Sequence, residues 1–225
     1  MKTAVRESTN ISILLVDDHE YVLRALRRTL DAETNVVVIG EASNMSEALC
    51  VLKKVTPTVV LLDLALDKED CFKLIDHIYA HQCRGRILVF SMHSEYLFAE
   101  RCIRHGASGY LRKGCAPEVL IKAIRHVAGG GIYISEIIQR EILDRIRGIE
   151  ATYDMKPLQQ LTDRELEVFH LIGQGYGTTE IAEKMGLNTK TVQAHQSHIR
   201  AKMQIEDQEK LRREASELVL TNMID

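Results

Sequence analysis

The stretch Val59-Val60-Leu61-Leu62-Asp63 decides the fold of this chain, because four apolar residues end abruptly on one carboxylate. An uncharged run of this kind, half of it β-branched, predicts a strand that is buried on both faces, as in a parallel sheet. An ionised carboxylate is costly inside such a strand, but it can reach water at the strand's last residue. Ligands of open α/β sheets bind at the carboxyl ends of the strands. Asp63 is therefore either the cap of a turn or part of a site.

The length and composition of the chain limit its class. Its 225 residues fit two domains better than one, and 45% hydrophobic and 27% charged residues are ordinary for a globular protein. No apolar run reaches the ~18 residues of a membrane span, and residues 1–10 are too polar for a signal peptide. The five cysteines form no C-x-x-C pair, which predicts reduced thiols in a cytoplasmic protein, with a redox switch as the alternative. The net charge of −3 argues against indiscriminate binding to polyanions.

In the first half of the chain, segments with the apolar spacing of strands alternate with segments that have the spacing of helices. The predicted strands are 11–16, 36–39, 59–63, 86–91 and 109–111. The predicted helices are 21–30, 46–55, 72–79, 96–105 and 117–128. This alternation predicts an α/β fold, a flavodoxin-like, doubly wound, five-stranded parallel sheet with helices on both faces.

The second half of the chain has helical patterns only. A helix is predicted over 134–147, followed by a linker to residue 160. Thr162 and Glu165 have the spacing of a capping box, which opens the first of four further helices. A short helix, a glycine turn and a longer helix then predict a helix-turn-helix. The predicted domains are 10–130 for the sheet, 131–160 for a linker with a helix, and 161–225 for an all-α four-helix helix-turn-helix domain.

Polar side chains stand at the carboxyl ends of four predicted strands: Asp17, Asp18, Asp63, Ser91 and Lys113. Three carboxylates at one edge repel one another unless a cation lies among them. Ligand sets made only of oxygen suit Mg²⁺, which also binds phosphate oxygens. We therefore predict a phosphate site with Asp63 as nucleophile, and with Asp17 and Asp18 holding Mg²⁺. Ser91 and Lys113 are predicted to contact the phosphoryl oxygens.

Residues 11–128 resemble the receiver domain of a two-component response regulator. The closest matches are Ile-Leu-Leu-Val-Asp-Asp-His at 13–19 and Gly-Ala-Ser-Gly-Tyr-Leu-Arg-Lys at 106–113. The stretch LTDRELEVFHLIGQGYGTTEIAEKMGLNTKTVQAHQSHIRAKM at 161–203 resembles a LuxR-type helix-turn-helix. Together they resemble the NarL/FixJ subfamily over nearly the whole chain.

This resemblance implies a DNA-binding transcription regulator in which a sensor histidine kinase phosphorylates Asp63. It also implies that the carbonyl of Ala65 completes the Mg²⁺ shell, and that Ser91 and Tyr110 form a coupled switch pair. We expect the receiver to cover the DNA-reading helix at rest. Phosphorylation is expected to release that helix and to allow homodimers through the last helix, 208–220.

The loop after Asp63 departs from the family pattern. The family usually has a Met-Pro loop and then a glycine here, whereas this chain has Leu-Asp-Lys-Glu-Asp-Cys at 66–71. The loop therefore adds the carboxylates of Asp67, Glu69 and Asp70 beside the predicted pocket. They could either tighten cation binding or repel a phosphoryl donor.

The helix predicted over 188–203 is the one expected to enter the major groove of double-stranded DNA. It contains Lys190, Arg200 and Lys202 and no acidic residue. By resemblance, the base-reading residues are Gln193, Ala194 and Ser197. The residues near phosphates are Lys190, Thr191, His198 and Lys202. The family usually has a lysine where Gln193 stands, so this helix has one positive charge fewer.

Two alternatives remain open from the sequence. Aspartyl-phosphate hydrolases also use an aspartate at a strand end, but they need a second acid at the position of Ala65. A degenerate or ligand-controlled receiver could instead dimerise and bind DNA without phosphorylation. A titration with a phosphoryl analogue would distinguish these possibilities. Stable, Mg²⁺-dependent binding would indicate a receiver, catalytic turnover an enzyme, and no response a degenerate receiver.

Overall fold

A computed structural model describes residues 10–66, 68–80, 85–147 and 156–221. Asp67, Cys83 and most of the predicted linker lie outside these residues. The strands are β1 Ile11–Val16, β2 Val36–Ala42, β3 Val59–Leu62, β4 Arg86–Ser91 and β5 Gly109–Arg112. They form one parallel sheet in the order β2-β1-β3-β4-β5. This is the flavodoxin-like order, so the predicted fold is confirmed.

Helices cover both faces of the sheet, because alternate residues of each strand point to opposite sides. The helices are α1 Glu20–Asp31, α2 Met45–Leu52, α3 Cys71–Ala80, α4 Glu95–Arg104 and α5 Pro117–Ala128. Ile13 and Leu15 of β1 face the core beneath α1 and α5. Leu14 and Val16 face the core shared with α2, α3 and α4. We call residues 10–128 the sheet unit.

Two local predictions about the sheet unit are wrong. Helix α2 ends at Leu52 rather than Val55, because the amides of Lys54 and Val55 both bond the carbonyl of Val51 in a closing turn. The apolar spacing of the predicted helix 72–79 also predicts that Tyr79 faces inward with Ile75 and Ile78, but Tyr79 is 68% exposed. Its ring lies over Gly106, which has φ of +106° and no side chain to displace the ring.

The rest of the described chain is helical. The helices are α6 Glu136–Ile146, α7 Lys156–Gln159, α8 Asp163–Gly173, α9 Thr178–Met185, α10 Thr189–Met203 and α11 Gln208–Thr221. The predicted capping box forms, since the Thr162 hydroxyl accepts the amide of Glu165 and the Glu165 carboxylate accepts the amide of Thr162. Gly186 ends α9 with φ of +63°, which lets the chain turn directly into α10. We call residues 156–221 the helical unit.

The cores explain which surfaces remain for partners. Leu211, Ala215 and Val219 are buried, so the apolar stripe of α11 is used inside the helical unit.

Cys71 and Cys102 are buried, and burial raises the pKa of both thiols, which makes them poor redox centres. No helix among the described residues is long and apolar enough to cross a membrane.

Candidate phosphoryl site and nucleic-acid interface

The candidate phosphoryl site lies where the strand order reverses. β1 and β3 are adjacent in the sheet although β2 lies between them in the chain. Asp17 follows β1 and Asp63 follows β3, so both carboxylates leave the sheet at its carboxyl edge. The amide of Asp63 donates to the carbonyl of Val16, which fixes the two strand ends side by side. This crevice is where ligands bind in doubly wound folds.

The structure brings the predicted carboxylates together. Ligand atoms of Asp17, Asp18, His19 and Asp63 all lie within 4.8 Å of one another. Asp17 and Asp63 are nearly buried, while Asp18 is partly exposed, so the cluster opens on one side to solvent. The oxygen donors fit the preference of Mg²⁺, and the open side leaves room for waters or phosphate oxygens.

Lys113 lies across the two buried carboxylates. Its Nζ is 2.6 Å from Oδ2 of Asp17 and 2.6 Å from Oδ2 of Asp63. Burial favours the neutral amine, but the charge of Asp63 and the hydrogen bonds to both carboxylates hold the pKa of Lys113 above its ordinary value. The ammonium is therefore charged at neutral pH and stands beside the predicted nucleophile.

Ser91 and Tyr110 lie behind the site, and neither exposes any surface. The Tyr110 hydroxyl donates to the carbonyl of His93 at 3.0 Å. The amide of His93 donates to Oγ of Ser91 at 3.3 Å. Both hydrogen bonds are made by His93, so the residues that the resemblance assigns to the switch hold the middle of the loop from β4 to α4.

Glu69 and Asp70, the two acids of the 66–71 loop that the structure describes, do not join the site. Glu69 accepts the amide of Met45 at 2.6 Å and so binds the first turn of α2. Asp70 lies near Lys73 and, at 3.7 Å, Arg164 of the helical unit. Neither Glu69 nor Asp70 therefore adds a ligand or a negative charge to the cluster of Asp17, Asp18 and Asp63. Asp67 lies outside the described residues.

His19 is the one member of the cluster that the sequence argument did not assign. Its Nδ1 is 2.6 Å from Oδ1 of Asp18, and its amide donates to Oδ1 of Asp17 at 2.9 Å. Its position directly after two aspartates was the available signal. Ala65, assigned by resemblance, is exposed, and its amide donates to Oδ1 of Asp63 at 3.2 Å.

The candidate nucleic-acid interface is α10. Asn188 caps this helix by accepting the amide of Thr191 at 2.8 Å, and Val192 and Ile199 fix its inner face in the core. All five outward residues of α10 are exposed: Lys190, Gln193, Ala194, Ser197 and His198. Thr191 is partly exposed at the edge of the same surface.

The expectation that the receiver covers the reading helix is therefore not met in this structure. The sheet unit instead contacts α8 of the helical unit, through α4 and through Asp70 in the loop before α3. Arg101 of α4 donates to the carbonyls of Leu158 and Leu161 and to the carboxylate of Asp163, at 2.8–3.2 Å. This contact leaves the outer face of α10 open.

Lys202 has a different environment from the other cations of α10. Its Nζ lies 2.6 Å from Oε2 of Glu165, a side chain only 4% exposed. Burial alone would raise the pKa of Glu165, but the hydrogen bonds from Lys202 and Thr162 hold it below its ordinary value. Lys202 thus stabilises the start of α8. Lys190, exposed in the first turn of α10, forms no ion pair with any other described residue.

Comparisons with known proteins match both halves of the chain. Residues 13–125 match the response regulator receiver domain, and residues 159–215 match the bacterial regulatory proteins of the luxR family. The chain belongs to the NarL/FixJ-type response regulators. It is a DNA-binding two-component response regulator, a transcription regulator rather than a classical enzyme. We therefore call the two halves the receiver and the LuxR-type helix-turn-helix domain.

Relatives align along most of the response regulator. The nitrate/nitrite response regulator protein NarL of Escherichia coli K12 is 30% identical over 86% of this chain and 89% of its own length. Response regulator UvrY of the same strain is 33% identical over 87% of this chain and 88% of its own length. A structure of RcsB from Salmonella enterica serovar Typhimurium, bound to promoter rprA with the phosphomimetic BeF₃⁻, has a TM-score of 0.65 at 26% identity. It covers 92% of this chain and 98% of that one.

Proposed function

We propose that this response regulator is switched by Mg²⁺-dependent phosphorylation of Asp63 by a sensor histidine kinase. In this proposal residues 10–130 receive the phosphoryl group, 131–160 link the domains, and 161–225 bind double-stranded DNA as a homodimer. The observation that carries the proposal is the position of Lys113, within 2.6 Å of both Asp63 and Asp17. A carboxylate is a poor nucleophile toward a phosphate dianion unless cations offset the approaching charge.

The proposed chemistry begins at Asp63. An oxygen of Asp63 attacks the phosphorus of the phosphohistidine, the phosphorus–nitrogen bond breaks, and the imidazole leaves. Lys113 transfers its contact from the carboxylate to a phosphoryl oxygen. Ser91 is proposed to take a second phosphoryl oxygen, and Tyr110 to follow the resulting movement of the loop.

Asp17, Asp18, Asp63 and the carbonyl of Ala65 are proposed to hold Mg²⁺. When bound, the ion offsets the negative charge that accumulates between the carboxylates and the phosphoryl group. The clustered oxygen donors of the three aspartates support this proposal. Asp17 and Asp18 contribute position and charge only, since neither has to gain or lose a proton during the transfer.

The helix-turn-helix is proposed to read DNA with the exposed face of α10. Gln193 can pair with adenine, Ala194 can touch a thymine methyl group, and Ser197 can hydrogen-bond a base edge. Thr191, Lys190 and His198 are proposed to contact phosphates. The exposure of this face supports the assignment. Lys202 was predicted to join them, but its pairing with Glu165 makes that contact secondary.

Removing Mg²⁺ is expected to stop phosphorylation by acetyl phosphate, because unshielded carboxylates repel the incoming dianion. Asp18→Ala is expected to reduce the rate nearly as far, as measured by intact-protein mass spectrometry at several Mg²⁺ concentrations. Glu20→Ala is the matched control, since Glu20 is an exposed acid paired with Arg24 on α1. Wild-type rates in the presence of a chelator, or in Asp18→Ala, would contradict the metal assignment.

The same samples distinguish the alternatives. The proposal predicts at most one phosphoryl group on each chain, with acetate released once for each group. Continuous acetate release faster than loss of the adduct would identify a hydrolase. Full DNA affinity without any adduct would identify a receiver that acts without phosphorylation.

A further inference from the structure

Two histidines meet across the interface between the domains. His93 belongs to the loop between β4 and α4, and His170 lies in α8. Their ring centroids are 4.6 Å apart. Phe98 of α4 packs against both rings, with centroids 5.1 Å from His93 and 5.4 Å from His170. The three rings form the aromatic centre of the contact between receiver and helix-turn-helix.

The hydrogen bonds around the two rings suit neutral imidazoles. Within the described chain, the Nδ1 atoms of His93 and His170 are buried without a hydrogen-bond partner. Nε2 of His170 lies 3.0 Å from Nε2 of Gln174, which is the amide nitrogen in this arrangement. An imidazolium at His170 would direct an N–H at another N–H. The closed arrangement thus disfavours protonation of His170.

Charges on neighbouring elements act in the same direction. Lys113, after β5, repels a proton on His93, and a charge on His93 would repel a proton on His170. Burial, with these repulsions, lowers the pKa of His93 to about 4 and that of His170 to about 3. Tyr110 of β5 is neutral, with its pKa raised by burial, and donates to the carbonyl of His93.

The acids near the pair are at its margins. Asp63 and His19 line the same cavity as His93 and Gln174, but Asp63 is paired with Lys113. Glu95, at the start of α4, accepts the amide of Ser135, away from the rings.

We propose that the His93–His170 contact is an acid-sensitive latch, which holds the two domains together while both imidazoles are neutral and releases them on protonation. A histidine with a lowered pKa in the closed form binds protons less well there than in the open form. Its contribution to closing is therefore complete above its ordinary pKa of 6.5 and falls as the pH drops below that value. Between pH 7.5 and 5.5 each histidine should favour opening about tenfold, and the two together about 100-fold.

Glu167 of α8 opposes this effect. It pairs with Arg164 at 2.7 Å, and burial, together with the charges of Asp70 and Asp163, raises its pKa to about 7. A raised pKa means that the closed form holds this proton more tightly, so acid favours closing through Glu167. Because Asp163 and Arg164 stay beside Glu167 in the open form, this effect is at most about 20-fold over the same range. The wild-type chain should therefore open by at least about fivefold but less than 100-fold, and Glu167→Gln should uncover the full response of the latch.

Single-molecule fluorescence transfer can measure the opening constant on the full-length, unphosphorylated chain. Dyes would be placed at Val37→Cys on β2 and Arg213→Cys on α11, both exposed. Cys50, Cys83 and Cys115 would be changed to serine. The measurement needs neither a phosphoryl donor nor DNA, so it stands independently of the role of Asp63.

From pH 7.5 to 5.5, the opening constant should rise about 100-fold in Glu167→Gln and less in wild type, by at least about fivefold. In the double variant His93→Gln with His170→Gln, the opening constant should instead fall, by at most about 20-fold. His126→Gln, at an exposed histidine of α5, should match wild type. A purely structural role would move the opening constant equally at both pH values. The latch is overturned if Glu167→Gln shows no larger response than wild type, or if the double variant still opens in acid.

Discussion

Asp63→Asn is expected to abolish Mg²⁺-dependent phosphoryl incorporation while leaving the fold intact. Asparagine has nearly the same shape as aspartate, so the buried pocket keeps its packing, but it removes the nucleophilic oxygen. Lys113 retains its pairing with Asp17 in the variant. Intact-protein mass spectrometry after incubation with acetyl phosphate measures the adduct, and circular dichroism checks the fold.

Asp31→Asn provides the matched control, because Asp31 is an exposed acid at the end of α1. It should be phosphorylated at the wild-type rate. Incorporation at that same rate in Asp63→Asn would place the phosphoryl group elsewhere in the chain.

The second large effect concerns the dependence of DNA binding on salt. Each phosphate that a cation neutralises adds about −0.9 to the slope of log K against log salt. Counting Lys190, Arg200 and Lys202 in each half-site gives six phosphates for a dimer and a slope near −5. Because Lys202 is already paired with Glu165, the structure lowers the expected slope to about −4.

Two substitutions on α10 should separate affinity from specificity. Lys190→Ala removes one exposed cation from each half-site, so the slope should weaken by about 2 while the preferred sequence stays the same. Gln193→Ala should relax the preference at one base pair, by about 1–3 kcal/mol in each half-site, with an unchanged slope. Fluorescence anisotropy over a series of salt concentrations, with matched and singly mismatched duplexes, measures both. The opposite pattern would mean that the two surfaces of α10 are assigned the wrong way round.

The sequence was sufficient to predict the sheet and the contents of its carboxyl edge. Apolar runs such as Val59–Leu62 indicate which strands are buried on both faces, and the alternation of strands with helices indicates a parallel sheet. Asp17, Asp63 and Lys113 come together because they follow three strands of one parallel sheet. Each strand end can be predicted from local sequence, and the parallel topology then places these ends at one edge of the sheet.

Contacts between distant segments could not be predicted in the same way. Glu69 and Asp70 stand in the loop beside the pocket, yet their side chains turn to α2 and to the helical domain. The direction of a loop side chain depends on which partner is within reach, and those partners are 24 and 94 positions away. Lys202 is similar, since only the fold reveals that Glu165 is its partner. Likewise, no local sequence pattern predicts the contact between His93 and His170.

The arrangement of the domains changes the expected form of control. The reading helix α10 is exposed even though the receiver contacts α8. It therefore does not need to be uncovered before it binds DNA. Phosphorylation at Asp63 is then expected to act on how two chains are placed on the duplex, through the loop that Ser91 and Tyr110 hold. When one domain of a dimer is bound, the second is held at a high effective concentration near its half-site. The dimer thus binds DNA more tightly without any new contact to a base.

The most direct test of the account is the affinity of the full-length protein for DNA with and without a phosphoryl analogue. The duplex would be selected from random sequence by the protein in the presence of Mg²⁺ and beryllium fluoride, and binding would be followed by fluorescence anisotropy. We expect beryllium fluoride to tighten DNA binding by the wild type only when Mg²⁺ is present, and to have no effect on DNA binding by Asp63→Asn. Equal affinity with and without the analogue, or an equal gain in Asp63→Asn, would contradict control through Asp63.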